Sequence, residues 1–166
     1  MSTRYSSSIA FVLVSLIVVA ELAYYLPQLP DRLASHFDLA GAANGWSSKP
    51  VFVLNVALVV ALLGAIFVTL GSLHRVPKSI INLPNKAYWL APERSAATFA
   101  LLRDWLRWLL VLTLALITLI VGLALRANLA SPPRLSPYAI WLVAGYAVIA
   151  IAMLVMLARR FRISPT

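Results

Sequence analysis

Four stretches of roughly twenty apolar residues decide what this chain can fold into, because that is the length a helix needs to cross a hydrocarbon layer about 30 Å thick. They cover 9–26, 51–73, 105–125 and 138–158. Each is apolar around its whole circumference, as a helix surrounded by lipid should be, and a spanning helix satisfies its own backbone hydrogen bonds. The expected fold class is therefore all-α: a polytopic membrane protein with four transmembrane helices, forming a single domain over 1–166. Composition agrees, with 62% hydrophobic and only 11% charged residues, where soluble domains average about half and about a quarter. The first run is expected to be a retained helix and not a cleaved signal peptide. Arg4 makes a weak basic start, Ala20 is a poor cleavage position, and the run is long and ends in Tyr24 and Tyr25.

The net charge of +9 would suggest nucleic acid in a soluble chain. Here the basic residues flank the apolar runs instead of interleaving with aromatics on one face, so nucleic acid is excluded and the lipid bilayer is the expected partner. Ten of them group at one side: Arg4, then Arg75, Lys78, Lys86, Arg94, Arg103 and Arg107, then Arg159, Arg160 and Arg162. Four fall at the other: Arg32, Lys49, Arg126 and Arg134. The bias predicts both termini in the cytoplasm, loop 27–50 outside and loop 74–104 inside. Tyr24, Tyr25, Trp46, Tyr138 and Trp141 would then belt the outer interface, and Tyr88, Trp89, Trp105, Trp108 and Phe161 the inner one.

Two loops carry pattern. In the outer one, Pro27 and Pro30 stop the first helix. The stretch 31–37 fits either a helical turn or an extended strand. Asn44-Gly45 is expected to be a tight turn and Gly41 to serve a similar purpose, since these residues tolerate positive φ. Trp46 would anchor the returning chain, and Lys49-Pro50 would open the second helix. In the inner loop, Asn82, Pro84 and Asn85 are turn formers, and Lys86 leads into an amphipathic segment with Tyr88 and Trp89. Pro92, Glu93 and Arg94 then open a helix running into the third span. That segment reads either as a membrane-surface element or as a docking surface for a cytosolic protein partner.

The loop pattern of Leu29, Pro30, His36, Phe37, Gly41, Gly45, Trp46 and Lys49, followed by a span and then the 81–94 stretch, resembles an uncharacterised bacterial membrane-domain family. Such domains also occur at the N-terminus of SdpI-type toxin-immunity proteins. The resemblance covers 26–94 and implies the bacterial cytoplasmic membrane as location. For the SdpI-type relatives it implies protection against a secreted peptide toxin and recruitment of a repressor; this chain is shorter than their full architecture.

The chemistry on offer is sparse. With no cysteine, thiolate metal sites and disulfides are excluded. His36 and Asp38 would point the same way from a strand, but two ligands fall short of a zinc site, so His36 is expected to hydrogen-bond within its loop. Glu21 is the acidic residue inside a span, about 7–8 Å below the outer helix end. An intramembrane carboxylate is costly, and the topology suggests Arg126 as its partner, with Asn55 at similar depth; the alternative is that each group snorkels to the interface. Ser15, Thr69, Thr113 and Thr118 should bond back to their own helices. Ala57, Ala61 and Ala65, with Gly64 and Gly71, form small-residue stripes that suit a compact bundle or a homo-oligomer. No motif for a nucleophile, a zinc hydrolase or a phosphate loop is present. No catalytic residue, metal or cofactor is expected. The function this supports is a non-enzymatic membrane protein that senses or binds an extracytoplasmic ligand, a peptide being the natural one. A small four-helix transporter built on Glu21, and an accessory subunit of a membrane complex, remain the alternatives.

Overall fold

The computed structural model describes residues 3–162. Four helices long and apolar enough to cross a membrane lie in the order the apolar runs predict. They are α1 (Thr3–Tyr25), α2 (Lys49–Thr69), α4 (Pro92–Ala127) and α5 (Tyr138–Arg160), with a short α3 (Lys86–Trp89) before α4. A two-stranded sheet, β1 (Arg32–Phe37) and β2 (Ala43–Ser48), joins α1 to α2.

Proline places the helix boundaries. Pro27 lies in the 3-10 turn Leu26–Gln28 that ends α1, while Pro50 and Pro92 sit in the first turns of α2 and α4, where a missing N–H costs no hydrogen bond. Helix α4 is continuous from the amphipathic stretch into the apolar run, as expected. At 36 residues it is about 54 Å long, far more than a bilayer core requires, so its first turns stand clear of the hydrocarbon.

Helix α4 is the hub on which α1, α2 and α5 pack. Its buried face reads Val111, Leu114, Thr118, Val121, Gly122 and Leu125, a run at helical spacing. A buried apolar cluster joins Val18 of α1, Phe52 and Val56 of α2, and Val121 and Leu125 of α4 to Leu29 and Leu33 of the hairpin segment. This cluster lies at the hairpin end, while Phe67, Phe99, Leu102 and Phe161 are buried toward the other. The small-residue stripe on α2 does not build the core: Ala57, Ala61 and Ala65 are exposed, and α2 turns Phe52, Val56 and Phe67 inward instead. Three large side chains bury more area than three methyl groups, which decides the rotation of the helix. Ser15, Thr69, Thr113 and Thr118 all donate to carbonyls of their own helices, at 2.8–2.9 Å. Thr113 does more, since its hydroxyl also lies 2.9 Å from Tyr146 Oη on α5. Among the described residues of α5 only Ala139 is buried, so this polar link should matter. Tyr146→Phe is expected to cost about 0.6–1.7 kcal/mol, as interhelical hydrogen bonds in membrane proteins do, measured by thermal unfolding in mild detergent.

Candidate functional site

The hairpin is a folded cap, not a linker. Residues 31–37 resolve to the extended alternative, and the strands pair antiparallel from Arg32 opposite Ser48 to Phe37 opposite Ala43. Two irregularities interrupt the ladder. Between Ala34 and His36 the first strand carries one residue more than its partner, and between His36 and Phe37 the second strand does. Leu33 and Ala34, next to each other just before the first bulge, are both buried.

The turn is not where the dipeptide rule puts it. Asn44 and Gly45 lie inside β2, and Gly45 does not have positive φ. The chain reverses at 38–41, where Gly41 takes φ +79°. Asp38 closes this turn: its carboxylate accepts from Ala42 N at 2.9 Å, its own N–H donates to Ala42 O at 2.9 Å, and Gly41 N donates to its carbonyl at 3.0 Å. A side-chain-capped turn of this kind needs no Asn-Gly. Gly45 is instead required by proximity, because a Cβ there would stand 2.7 Å from His36 Cβ. Asn44, displaced by the second bulge, puts Oδ1 2.6 Å from His36 Nδ1. His36 is therefore held within its loop, and His36 and Asp38 serve separate local bonds. Among the described residues no group of three or more His, Asp or Glu is placed to hold a metal. At the base of the hairpin Lys49 N donates to Asp31 O at 3.0 Å, and their side chains form a loose, exposed ion pair at 3.8 Å, a contact worth little by itself. Pro30 is exposed just before β1, and Arg32 lies over the half-exposed Trp46 ring at 5.8 Å.

What fixes the cap to the bundle is a residue the sequence did not single out. Asn128, at the end of α4, is buried, and its side-chain amide meets the backbone of Ala34 on both sides. Ala34 N donates to Oδ1 at 2.7 Å, and Nδ2 donates to Ala34 O at 2.9 Å and to Ala124 O at 2.8 Å. The amide behaves as a one-residue strand. On the turn side, Leu135 N donates to Gly41 O at 2.9 Å, and Ala42 bridges to Arg134. A Cβ on Gly41 would lie 2.5 Å from Leu135 O, so the contact admits only glycine. Held at these two points, the turn overhangs the start of α5. Between them lies a cleft of about 660 Å³. Phe37, Leu39, Ile120, Pro137, Ile140 and Val143 give it an apolar wall, and His36 and Asp38 stand at its rim. Leu39, at the turn, is 96% exposed.

Glu21 and Arg126 are close in the fold, but not as an ion pair. The ion pairs among the described residues are Lys49–Asp31 and Arg103–Asp104. Arg126 Nε donates to Tyr25 Oη at 2.8 Å. The Glu21 carboxylate lies on Gly122, where any Cβ would collide with Oε1, and Oε2 is buried without a hydrogen-bond partner. Asn55 is on the exposed face of α2 and does not join them. One tyrosine hydroxyl, a turn from Glu21, captures the guanidinium that topology alone assigns to the carboxylate.

At the opposite end of the bundle, the 82–94 segment packs against the end of α5. Asn85 adopts φ +52° and leads into α3. Asn85 Nδ2 and Trp89 Nε1 both donate to Phe161 O, at 3.2 and 2.9 Å, and the Trp89 ring meets the buried Phe161 ring edge-on at 5.3 Å. The free carbonyl past the end of α5 is thereby satisfied. Lys86 Nζ donates to Ser79 O, Thr98 Oγ1 to Trp89 O, and Arg94 stacks 3.9 Å over Tyr88. Asn82, Pro84 and Glu93 are exposed beside this clamp. Asn85→Ala with Trp89→Phe should leave Phe161 O without either donor, and a cost of about 1–3 kcal/mol is expected. Faster proteolytic trimming after Arg160 would report it.

The comparisons with known proteins fall on the cap. A family described only as a domain of unknown function (DUF1648) matches residues 10–61. That stretch holds most of α1, the whole hairpin and the first part of α2, including every residue of the outer-loop pattern, Glu21 and Asn55. Asn128, the loop between α4 and α5 (128–137) and the Asn85–Trp89 clamp lie outside it. No curated protein and no solved structure matches the chain.

Proposed function

We propose that this chain is a non-enzymatic protein of the bacterial cytoplasmic membrane, with both termini inside, whose hairpin cap binds an extracytoplasmic ligand. The observation that carries the reading is the cleft under a pinned turn. A preformed, largely apolar recess with a few polar groups at its rim is what small-ligand and side-chain recognition uses, and Leu39 is left fully exposed beside it. A peptide presenting an apolar side chain fits this chemistry best. An immunity- or signalling-like role, as in SdpI-type proteins, would follow if the ligand were a secreted peptide. Helix α5 supplies a route inward: Ala139, Ile140 and Val143 line the cleft, and the far end of the same helix is gripped by Asn85 and Trp89. Glu21, on which a transport reading would rest, packs on Gly122 and does not line the cleft.

A photoreactive phenylalanine analogue at Leu39, irradiated in intact cells, tests the reading by mass spectrometry of the purified protein. A discrete non-lipid adduct is expected, abolished by Ala139→Trp, which fills the cleft. Adducts identical to those formed from Val148, an exposed position in the apolar run of α5, would contradict it.

A further inference from the structure

A second recess lies at the end of the bundle away from the cap, between α4 and the 3-10 extension of α2 (Leu70–Arg75). Gly71, His74, Ala96, Phe99, Ala100 and Arg103 are among its walls, and its volume is about 270 Å³. Its chemistry is unlike that of the cleft under the hairpin. Arg103 is only 16% exposed at the side chain. Asp104 takes its Nε at 3.1 Å, and its Nη2 is buried with no acceptor. One turn along α4, Arg107 lies 4.8 Å over the Phe67 ring, and its Nη2 would stand 3.4 Å from a Cβ on Gly71. Arg75 ends the facing segment. A guanidinium with an orphaned buried N–H, facing a small recess and surrounded by further cations, is a site that lacks its anion.

Depth says which anion. Arg107 and Ala127 are separated by about 30 Å of helix, the thickness of the hydrocarbon layer. Arg107 therefore marks its edge, and Arg103 lies a turn beyond, at the level of the lipid phosphates. Trp105 and Trp108 flank Arg107 in sequence, as interfacial aromatics do at a membrane edge. We propose that this recess binds the phosphate of an anionic phospholipid, with Arg103 as the principal ligand, Arg107 and His74 beside it, and the acyl chains lying along the apolar faces of α2 and α4. Lysine at position 103 would not replace it, since a point charge cannot donate to Asp104 and the lipid in one plane.

Native mass spectrometry of the full chain in mild detergent, with equal amounts of phosphatidylglycerol and phosphatidylcholine, tests this. The wild type should retain phosphatidylglycerol preferentially. Arg103→Gln should reduce that preference about fivefold, the worth of one basic residue at an anionic surface. Gly71→Leu, which fills the recess and keeps every charge, should reduce it as well, whereas Arg160→Gln at the end of α5 should not. An unchanged preference in both recess variants, or an equal loss in Arg160→Gln, would overturn the proposal. Displacement of the lipid by millimolar inorganic phosphate would overturn the lipid assignment in favour of a soluble anion.

Discussion

Asn128→Ala should lower the stability of the protein in mild detergent by about 2–6 kcal/mol, because a buried backbone group left without a partner costs about 1–3 kcal/mol and this change orphans two. Ala34 is fully buried, and both its N–H and its C=O are satisfied by the Asn128 amide. Water cannot substitute for the amide without opening the packing of Leu33 against Val121 and Leu125. Asn128→Asp should be no milder: it keeps an acceptor for Ala34 N but loses the donor and buries a charge. The readout is the thermal midpoint, together with hydrogen exchange at Ala34, which should rise in step with the loss. A variant with unchanged melting and a still-protected Ala34 amide would show that the cap is held by something other than this residue.

Gly41→Val should cost about 3–5 kcal/mol, from two terms that add at one position. The first is backbone conformation: φ of +79° suits glycine and is strongly disfavoured for a β-branched residue. The second is contact. The new Cβ would meet the backbone oxygen of Leu135 at 2.5 Å, and a main-chain atom cannot rotate away as a side-chain tip can. The turn and the loop between α4 and α5 would have to part, breaking the Leu135–Gly41 hydrogen bond and the Ala42–Arg134 bridge. Thermal unfolding measures the total. Limited proteolysis locates it, with new cleavage expected between Asp38 and Ala42 or after Arg134, and none within the helices.

The parts of this fold that could be read from the chain are those governed by local rules. Twenty-residue apolar runs must be helices in lipid, prolines must fall in first turns or past last ones, and hydroxyls within spans must bond to the preceding turn. All three were legible. Gly41 was too, as a residue whose conformational freedom a reversal needs. What escaped depends on partners far along the chain. Asn128 meets Ala34 across 94 residues, and nothing in the residues around Asn128 distinguishes it from an ordinary helix-end amide. Asn44-Gly45 carries a strong turn signal, yet two bulges and the Asp38 cap place the reversal at 38–41 instead, and the glycine is kept for closeness to His36. Arg126 chose Tyr25 over Glu21 because reach and angle, not charge alone, select among neighbours in a packed site. The inner loop showed its aromatics plainly, but that Trp89 and Asn85 converge on one carbonyl of Phe161 requires knowing where α5 ends.

The orientation of the cap is tested most directly by single cysteines, for which the cysteine-free chain is a clean background. Leu39 and Ile80 are both well exposed, at 96% and 72%, at opposite ends of the bundle. In intact cells a membrane-impermeant maleimide should label Leu39→Cys and should reach Ile80→Cys only after permeabilisation. Labelling of both positions before permeabilisation, or of Ile80→Cys alone, would contradict a hairpin that faces outward above four membrane-crossing helices.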